Sequence, residues 1–259
     1  MRLSSEKNEK KLIVMEIKKR AEIIQKWIDD YCKSAPFKIE TLIIGISGGI
    51  DSSVVSTLCA LTGRRTIVLN MPIKQNKNQH DLSTTHGDWL SKKFKNVEVN
   101  LVNLENLFNE FEKSLSKFNS EHAFANSRAR LRMTTLYQVA AANNGIVVGT
   151  GNKVEDFGVG FYTKYGDGGV DISPIADCTK TQVWELGKYL GIDNKIIDAE
   201  PTDGLWNDAR TDVDQLGMSY QDLEKAMNNS NDPNYKKYLE IRKRNLHKMN
   251  PIPVCKFND

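Results

Sequence analysis

"TLIIGISGGIDSSVV", residues 41–55, is an apolar run that meets Ser-Gly-Gly and then Asp-Ser-Ser. "TLIIGIS" is apolar and β-branched and predicts a strand. "SSVVSTLCALTG" predicts a helix stopped by Gly63. A strand-to-helix junction aims backbone N–H groups at whatever sits above it. The first helical turn leaves four of them unpaired, and the helix dipole favours an anion there. Gly48 and Gly49 remove side chains, so the backbone can wrap an oxygen-rich group. Ser47, Ser52 and Ser53 add hydroxyl donors. Asp51 is the odd member, because an acid beside phosphate is repulsive unless a cation intervenes. It is therefore a candidate magnesium ligand. Ser-Gly-Gly alone reads equally as a capped helix start with glycines for a tight turn.

Working outward, "RTIVLNMP" predicts a second strand ended near Pro72, "LSTTHGDWLSKKF" a helix and "NVEVNLV" a third strand. Leu104 to Leu115 and Asn126 to Asn143 keep helical spacing. "GIVVGTGN" predicts a fourth strand ending in a glycine-rich turn. Residues 9–31 carry Ile13, Ile17, Ile24 and Ile28 on one helical face. Strands alternating with helices predict an α/β fold, a Rossmann-like parallel sheet covered on both faces. With no internal repeat and no linker, residues 1–259 read as one domain, with a C-terminal lid or tail over about 234–259.

Composition narrows the class. Lys plus Arg number 36 against 33 Asp plus Glu, a net charge of +3 that does not demand a nucleic-acid partner. Cys32, Cys59, Cys178 and Cys255 form no Cys-x-x-Cys pair and read as free thiols of a reducing compartment. No apolar run reaches the ~18 residues of a membrane span, and the N-terminus lacks signal-peptide character. The expectation is a soluble cytoplasmic protein.

The phosphate loop is not the usual P-loop, because the lysine before Ser/Thr is missing. Nor is it Gly-x-Gly-x-x-Gly, which weakens a dinucleotide-binding Rossmann reading. A second dense run, residues 147–192, supplies more. Thr150 lies in the turn after the fourth strand, with Glu155 and Asp156 beyond it. "KYGDGG" brings Lys164 and Asp167, although Gly-Asp-Gly-Gly also reads as a surface hairpin. "DCTKTQVWELG" puts Thr179, Lys180 and Thr181 at a helix start, where an isolated lysine would read as solvated.

Ser-Gly-Gly-x-Asp-Ser resembles the pyrophosphate-releasing ATP loop, which is found in families that cut ATP between the α and β phosphates. The loop alone does not choose among ammonia-using synthetases, transfer-RNA modifying enzymes and sulfur-activating enzymes. Together with "RARLRMTTLYQVAAANNGIVVGTGNK", "FYTKYGDGGVDISPIADCTKTQVWELGKYLG" and "EPTDGLWNDARTDVDQLGMSY", it resembles the ammonia-dependent NAD synthetase family, over roughly residues 40–225 plus "LHK" near the end.

The resemblance implies an adenine nucleotide alpha hydrolase-like fold. It also implies adenylation of nicotinic acid adenine dinucleotide by ATP with Mg2+, then attack by ammonia to give NAD. It places Gly45, Ser47, Gly48, Gly49, Ser52 and Ser53 around pyrophosphate, and Asp51 and Glu155 on the metal. Arg130 and Tyr137 would bind the dinucleotide, with Lys164 and Asp171 among its contacts. Asp167 would lie over the nicotinate end, and Lys180 on ATP phosphates. Thr150 and Thr202 would sit by ATP, and His247 and Lys248 would close over phosphates. A homodimer is implied as well.

One departure stands out. "VEDFGVGFYTK" is one residue longer than the family's usual segment. Counting from the N-terminal side selects Glu155 as the acid, and counting back from Gly160 selects Asp156. The segment 200–214 reads as a polar lid, and the basic tail as a phosphate clamp, a dimer face or a solvated face. The alternatives are a transfer-RNA modifying ligase, which wants a strongly basic surface and RNA-binding elements, and a nucleotide sensor without catalysis.

Overall fold

The computed structural model describes residues 2–75, 77–202 and 211–257. Among them, strands β1 (Thr41–Gly45), β2 (Arg65–Asn70), β3 (Val97–Leu101) and β4 (Gly145–Val147) form a parallel sheet in the order β3-β2-β1-β4. β1 is central because its side chains are apolar on both faces. Leu42 and Ile44 point into a core with Val54, Leu58 and Leu186. Ile43 points into the opposite core with Ile67, Leu69, Phe108 and Val147. A strand buried on both sides reads as a continuous apolar run, as β1 does.

Helix α1 (Arg2–Ser34) lies outside α2 (Ile50–Leu61), and α3 (Lys77–Lys93) packs beside α2 on β2 and β3. The second face is covered by α4 (Glu105–Ser114) and α5 (Glu121–Ala142). A π-helical turn, Lys153–Val159, follows β4. Then come α6 (Lys180–Leu190), which returns to the α2 face, and α7 (Asn194–Ile197). Helices α8 (Asp212–Leu216), α9 (Tyr220–Asn228) and α10 (Tyr235–Met249) pack on the π-turn around Val154, Val159, Leu223 and Tyr238.

The elements agree with the sequence reading in kind and differ at their ends. α1 runs past both ends of the expected 9–31. α3 begins at Lys77 and not at 82, and α5 begins at Glu121 and not at 126. The first turn of α3, Lys-Asn-Gln-His, is polar, so its apolar periodicity starts only after the helix has begun. The α5 start is set by Ser120, whose side chain accepts from the Ala123 N–H. "GDGG" forms successive turns rather than a strand hairpin.

The chain leaves β1 towards β2 and β3, then returns to place β4 on the other side of β1. Ligands of such sheets bind at this switch point, above the carboxyl ends of the strands. The loops after β1 and β4 flank that crevice. Among the described residues no helix is long and apolar enough to cross a membrane. All four cysteines are free, and only Cys255 is exposed.

One buried polar contact ties α3 to the base of α2. His86 Nε2 lies 2.9 Å from Ser56 Oγ, and its ring stacks on Trp89. Burial lowers the His86 pKa from 6.5 to about 4. The unfolded imidazole therefore takes a proton at a pH where the folded one does not. This contribution to stability is present above pH 6.5 and is lost as pH falls towards 4. At 1.36 kcal/mol per unit it amounts to about 3 kcal/mol at most. His86→Gln should flatten the pH dependence of urea unfolding in that window. An unchanged slope would place the acid sensitivity elsewhere.

Candidate active site

The crevice is a cavity of about 300 Å³. Its floor is the loop between β1 and α2. Gly48 has φ +90, and a Cβ there would lie 2.5 Å from the Gln79 carbonyl oxygen, so only glycine lets α3 approach. Ser47 N–H donates to Ser52 Oγ at 3.2 Å, and Gly49 N–H donates to Ser47 Oγ at 3.2 Å. Ser53 Oγ donates to the Gly49 carbonyl at 2.9 Å. Gly49 is the N-cap of α2 and gives no side-chain bond. The first-turn N–H groups of α2 are thus left to whatever enters the cavity.

Above this loop sits an acid pair joined by a buried cation. Lys180 Nζ donates to Asp51 Oδ2 at 2.6 Å and to Glu155 Oε1 at 2.8 Å. Lys180 is 2% exposed. Burial opposes its charge, but Asp51 and Glu155 outweigh that and hold its pKa above the ordinary lysine range. It opens α6 behind Thr179, which forms a capping box with Gln182. A helix N-terminus disfavours a cation, so this position is sustained by the two carboxylates.

Three residues brace the pair. Asn152 Nδ2 donates to Asp51 Oδ1 at 3.1 Å and to Glu155 Oε2 at 2.8 Å. Its Oδ1 accepts from the N–H groups of Val154 and Glu155, both at 3.0 Å, and so caps the π-turn. The Tyr220 hydroxyl lies between Glu155 Oε1 and Asp212 Oδ2, 2.7 Å from the latter. Burial, then Glu155 and Asp212, push its pKa far up, so it stays a phenol.

Glu155 and Asp156 occupy different surroundings. Glu155 joins Asp51 and Lys180. Asp156 turns the other way and lies so close to Gly151 that a Cβ there would overlap it at 2.0 Å. Burial first, then Asp167, Glu155 and Asp51, hold the Asp156 pKa well above the usual carboxylate range. Asp156 and Asp167 both line the main cavity and a smaller one of about 120 Å³ beside it. Asp167 Oδ1 accepts from the Thr163 N–H at 3.0 Å.

Of the residues expected at the site, Gly45, Ser47, Gly48, Gly49, Asp51, Ser52, Thr150, Glu155, Asp167, Lys180 and Thr202 line the cavity. Ser53 lies beneath the loop, fully buried. Arg130 instead donates to the Lys164 carbonyl at 3.2 Å, on an exposed face of α5. Tyr137 donates to Asp171 Oδ1 at 3.0 Å, and Asp171 Oδ2 accepts from the Val147 N–H. Lys164 Nζ donates to the carbonyl of exposed His247 at 3.2 Å. Lys248 Nζ donates to the Tyr162 carbonyl at 2.7 Å. The central part of the expected lid, 203–210, lies outside the described residues.

Tyr220 and Arg132 had no site role in the sequence reading, while Asn152 figured only in a turn that could close on a ligand and Asp212 only in the polar lid. The spacing of Asn152 three residues before Glu155 is a capping pattern and was a usable signal. Nothing local marks Tyr220, which meets Glu155 across 65 residues.

A family model described as NAD synthase matches residues 20–252. The chain belongs to the NAD synthase family. An NH3-dependent NAD+ synthetase of Finegoldia magna is 38% identical over 219 residues, which cover 84% of this chain and 87% of that relative. One from Alkaliphilus metalliredigens is 35% identical over 251 residues, 92% of this chain and 99% of the relative. The solved structure of an NMN synthetase from Francisella tularensis superposes with a TM-score of 0.84 at 32% identity. It covers 93% of this chain and 99% of that one.

Within this NAD synthase site, Asn152 is the neutral strut. Asn152→Ala removes a cap and leaves both acids one partner short. Unfolding free energy should fall by about 1–3 kcal/mol. Asn152→Asp should cost more at neutral pH than at acid pH, where the added carboxyl is discharged. Urea titrations at both pH values separate the two effects.

Proposed function

We propose that this chain forms NAD by ATP-dependent amidation of nicotinic acid adenine dinucleotide with ammonia, releasing AMP and pyrophosphate. The observation that supports this most directly is the set of Asp51, Glu155 and Lys180 above the N–H-lined loop, in a member of the NAD synthase family. Two carboxylates already converge on one buried cation. Mg2+ is held by one or two carboxylates together with substrate phosphates, so Asp51 and Glu155 fit it. Among the described residues there is no cluster of three or more His, Cys, Asp or Glu for a metal, and phosphate oxygens would complete the shell. When bound, the ion would neutralise phosphate charge and polarise the phosphorus centre.

The chain's own residues account for the rest. The loop N–H groups and the hydroxyls of Ser47 and Ser52 receive the departing pyrophosphate. Lys180, freed from the acids as cation and phosphates arrive, follows the charge that leaves. The substrate carboxylate attacks the α-phosphorus of ATP, the bond to pyrophosphate breaks, and an acyl adenylate forms. Ammonia then adds to the acyl carbon and AMP leaves. Asp167, on the wall shared by both cavities, takes the proton from the attacking nitrogen. We also propose a homodimer, supported by exposed apolar side chains at Leu107, Phe111 and Phe118.

A second reading concerns the acceptor. The Francisella tularensis neighbour is named as an NMN synthetase. Arg130 and Tyr137, which the dinucleotide reading uses, are bonded to protein outside the cavity. The corresponding acceptor would be nicotinic acid mononucleotide.

Incubation with ATP, magnesium, ammonium and either acid should release pyrophosphate and amide in equal amounts. The ratio of kcat/KM for the two acids decides the acceptor. Pyrophosphate released only with transfer RNA would overturn the assignment. Asp167→Asn should slow amide formation at least tenfold while leaving the burst of pyrophosphate. Equal loss of both would remove Asp167 from the ammonia step.

A further inference from the structure

We infer that Arg132 is the anion receptor of the cavity wall opposite the acid pair, binding a phosphate or carboxylate oxygen of the bound substrates. This rests on the function proposed above and adds a residue to it. Helix α5 presents Ala129, Arg132, Met133 and Leu136 to the cavity. These positions follow i, i+3, i+4, i+7 and share one face. Three are apolar and one is cationic. Arg130 and Tyr137 lie roughly 80–100° around the helix from that stripe, by its 3.6-residue period.

Arg132 Nε donates to the Met71 carbonyl at 3.0 Å, just past the carboxyl end of β2. That bond fixes the guanidinium at the crevice and leaves its two terminal nitrogens as donors. No described residue forms an ion pair with Arg132, and its only hydrogen bond among the described residues is this one. The other cation that lines the cavity is Lys180, already engaged by two carboxylates. Arg132 is therefore where the cavity offers uncommitted positive charge.

The position carries a cost that a bound anion would offset. Arg128 lies four residues earlier on the same helix and is 6% exposed. Burial, then Arg128, lower the Arg132 pKa to about 10, with Asp167 acting the other way. The side chain remains cationic at neutral pH. Desolvation of the guanidinium is only partly offset by the Asp167 carboxylate, with which it forms no ion pair, and an anionic substrate would supply the direct partner. A planar guanidinium suits both candidate groups, since phosphate and carboxylate each accept paired N–H bonds.

The test is titration calorimetry without turnover on wild type, Arg132→Gln and Arg132→Lys, with ATP in one arm and nicotinic acid mononucleotide in the other. Glutamine keeps a donor for the Met71 carbonyl but removes the charge. Arg132→Gln should weaken binding at least tenfold in one arm, with Arg132→Lys recovering part of it. The arm that loses identifies which of the two substrates supplies the anion held by Arg132. A folded Arg132→Gln with unchanged affinity in both arms overturns the inference. Equal losses in both variants, tracking a fall in Tm, overturn it too and make Arg132 a strut for Met71. Failure of wild type to make amide, with affinity still dependent on Arg132, would count against the proposed reaction alone.

Discussion

The ammonium of Lys180 between the carboxylates of Asp51 and Glu155 is the contact on which the site depends. It joins Lys180 to residues 129 and 25 positions earlier in the chain. The start of α2, the π-turn after β4 and the start of α6 meet at this one nitrogen. Removing one partner of a buried ion pair costs about 3–5 kcal/mol, because a charge is left without compensation. The three segments therefore cannot drift independently. Asn152 tightens the same joint by occupying the remaining carboxylate oxygens, and Tyr220 by sharing Glu155 Oε1 with Lys180. The resulting jaw presents two acids at a spacing already suited to a cation, next to N–H groups suited to phosphate.

This arrangement divides the cavity into walls of different character. The α2 and π-turn wall carries acids, the phosphate loop and a paired lysine. The α5 wall is apolar apart from Arg132. A reaction that joins a carboxylate to a phosphate must bring two anions together and then protect an acyl adenylate from water. Charge compensation on one side and apolar cover on the other serve those needs separately. Asp156 and Asp167 lie where the walls meet, at the mouth of the smaller cavity.

The parallel sheet and the phosphate loop were legible because each is local, whereas Glu155 and Lys180 were placed by the family resemblance. β1 is apolar on both faces, the loop is six consecutive residues, and Thr179-Lys180 opens a helix with its cap in sequence. What was not legible depends on which way a helix face turns. Along α5, Arg130 and Tyr137 drew attention by residue type, yet the face towards the cavity is that of Ala129, Arg132, Met133 and Leu136. α5 shows little amphipathic contrast, since it meets the sheet on one side and a polar rim on the other, so periodicity gave no bearing. Tyr220 belongs to a separate small core, and its meeting with Glu155 is a tertiary fact without local pattern. Lys180 shows the opposite case. Its helix-end position reads as solvated, and only the two acids explain its burial.

The conformation of "VEDFGVGFYTK" has a physical consequence. The segment folds as a π-turn, in which i→i+5 bonding absorbs one residue more than an α-turn. Such turns are frequent at functional sites because they redirect side chains without breaking the helix. Here Glu155 reaches Lys180 while its neighbour Asp156 reaches the opposite side, towards Asp167. The turn closes on Gly160 in the left-handed region and leaves carbonyls that need donors. The α10 helix supplies them. Arg242 donates to the carbonyls of Phe157 and Gly158, Asn245 to that of Val159, and Lys248 to that of Tyr162. The basic C-terminal stretch is thus spent in part on backbone, not on solvent. A lengthened turn without those donors would bury unsatisfied carbonyls beside the acid pair. The π-turn and the basic helix therefore form one structural unit.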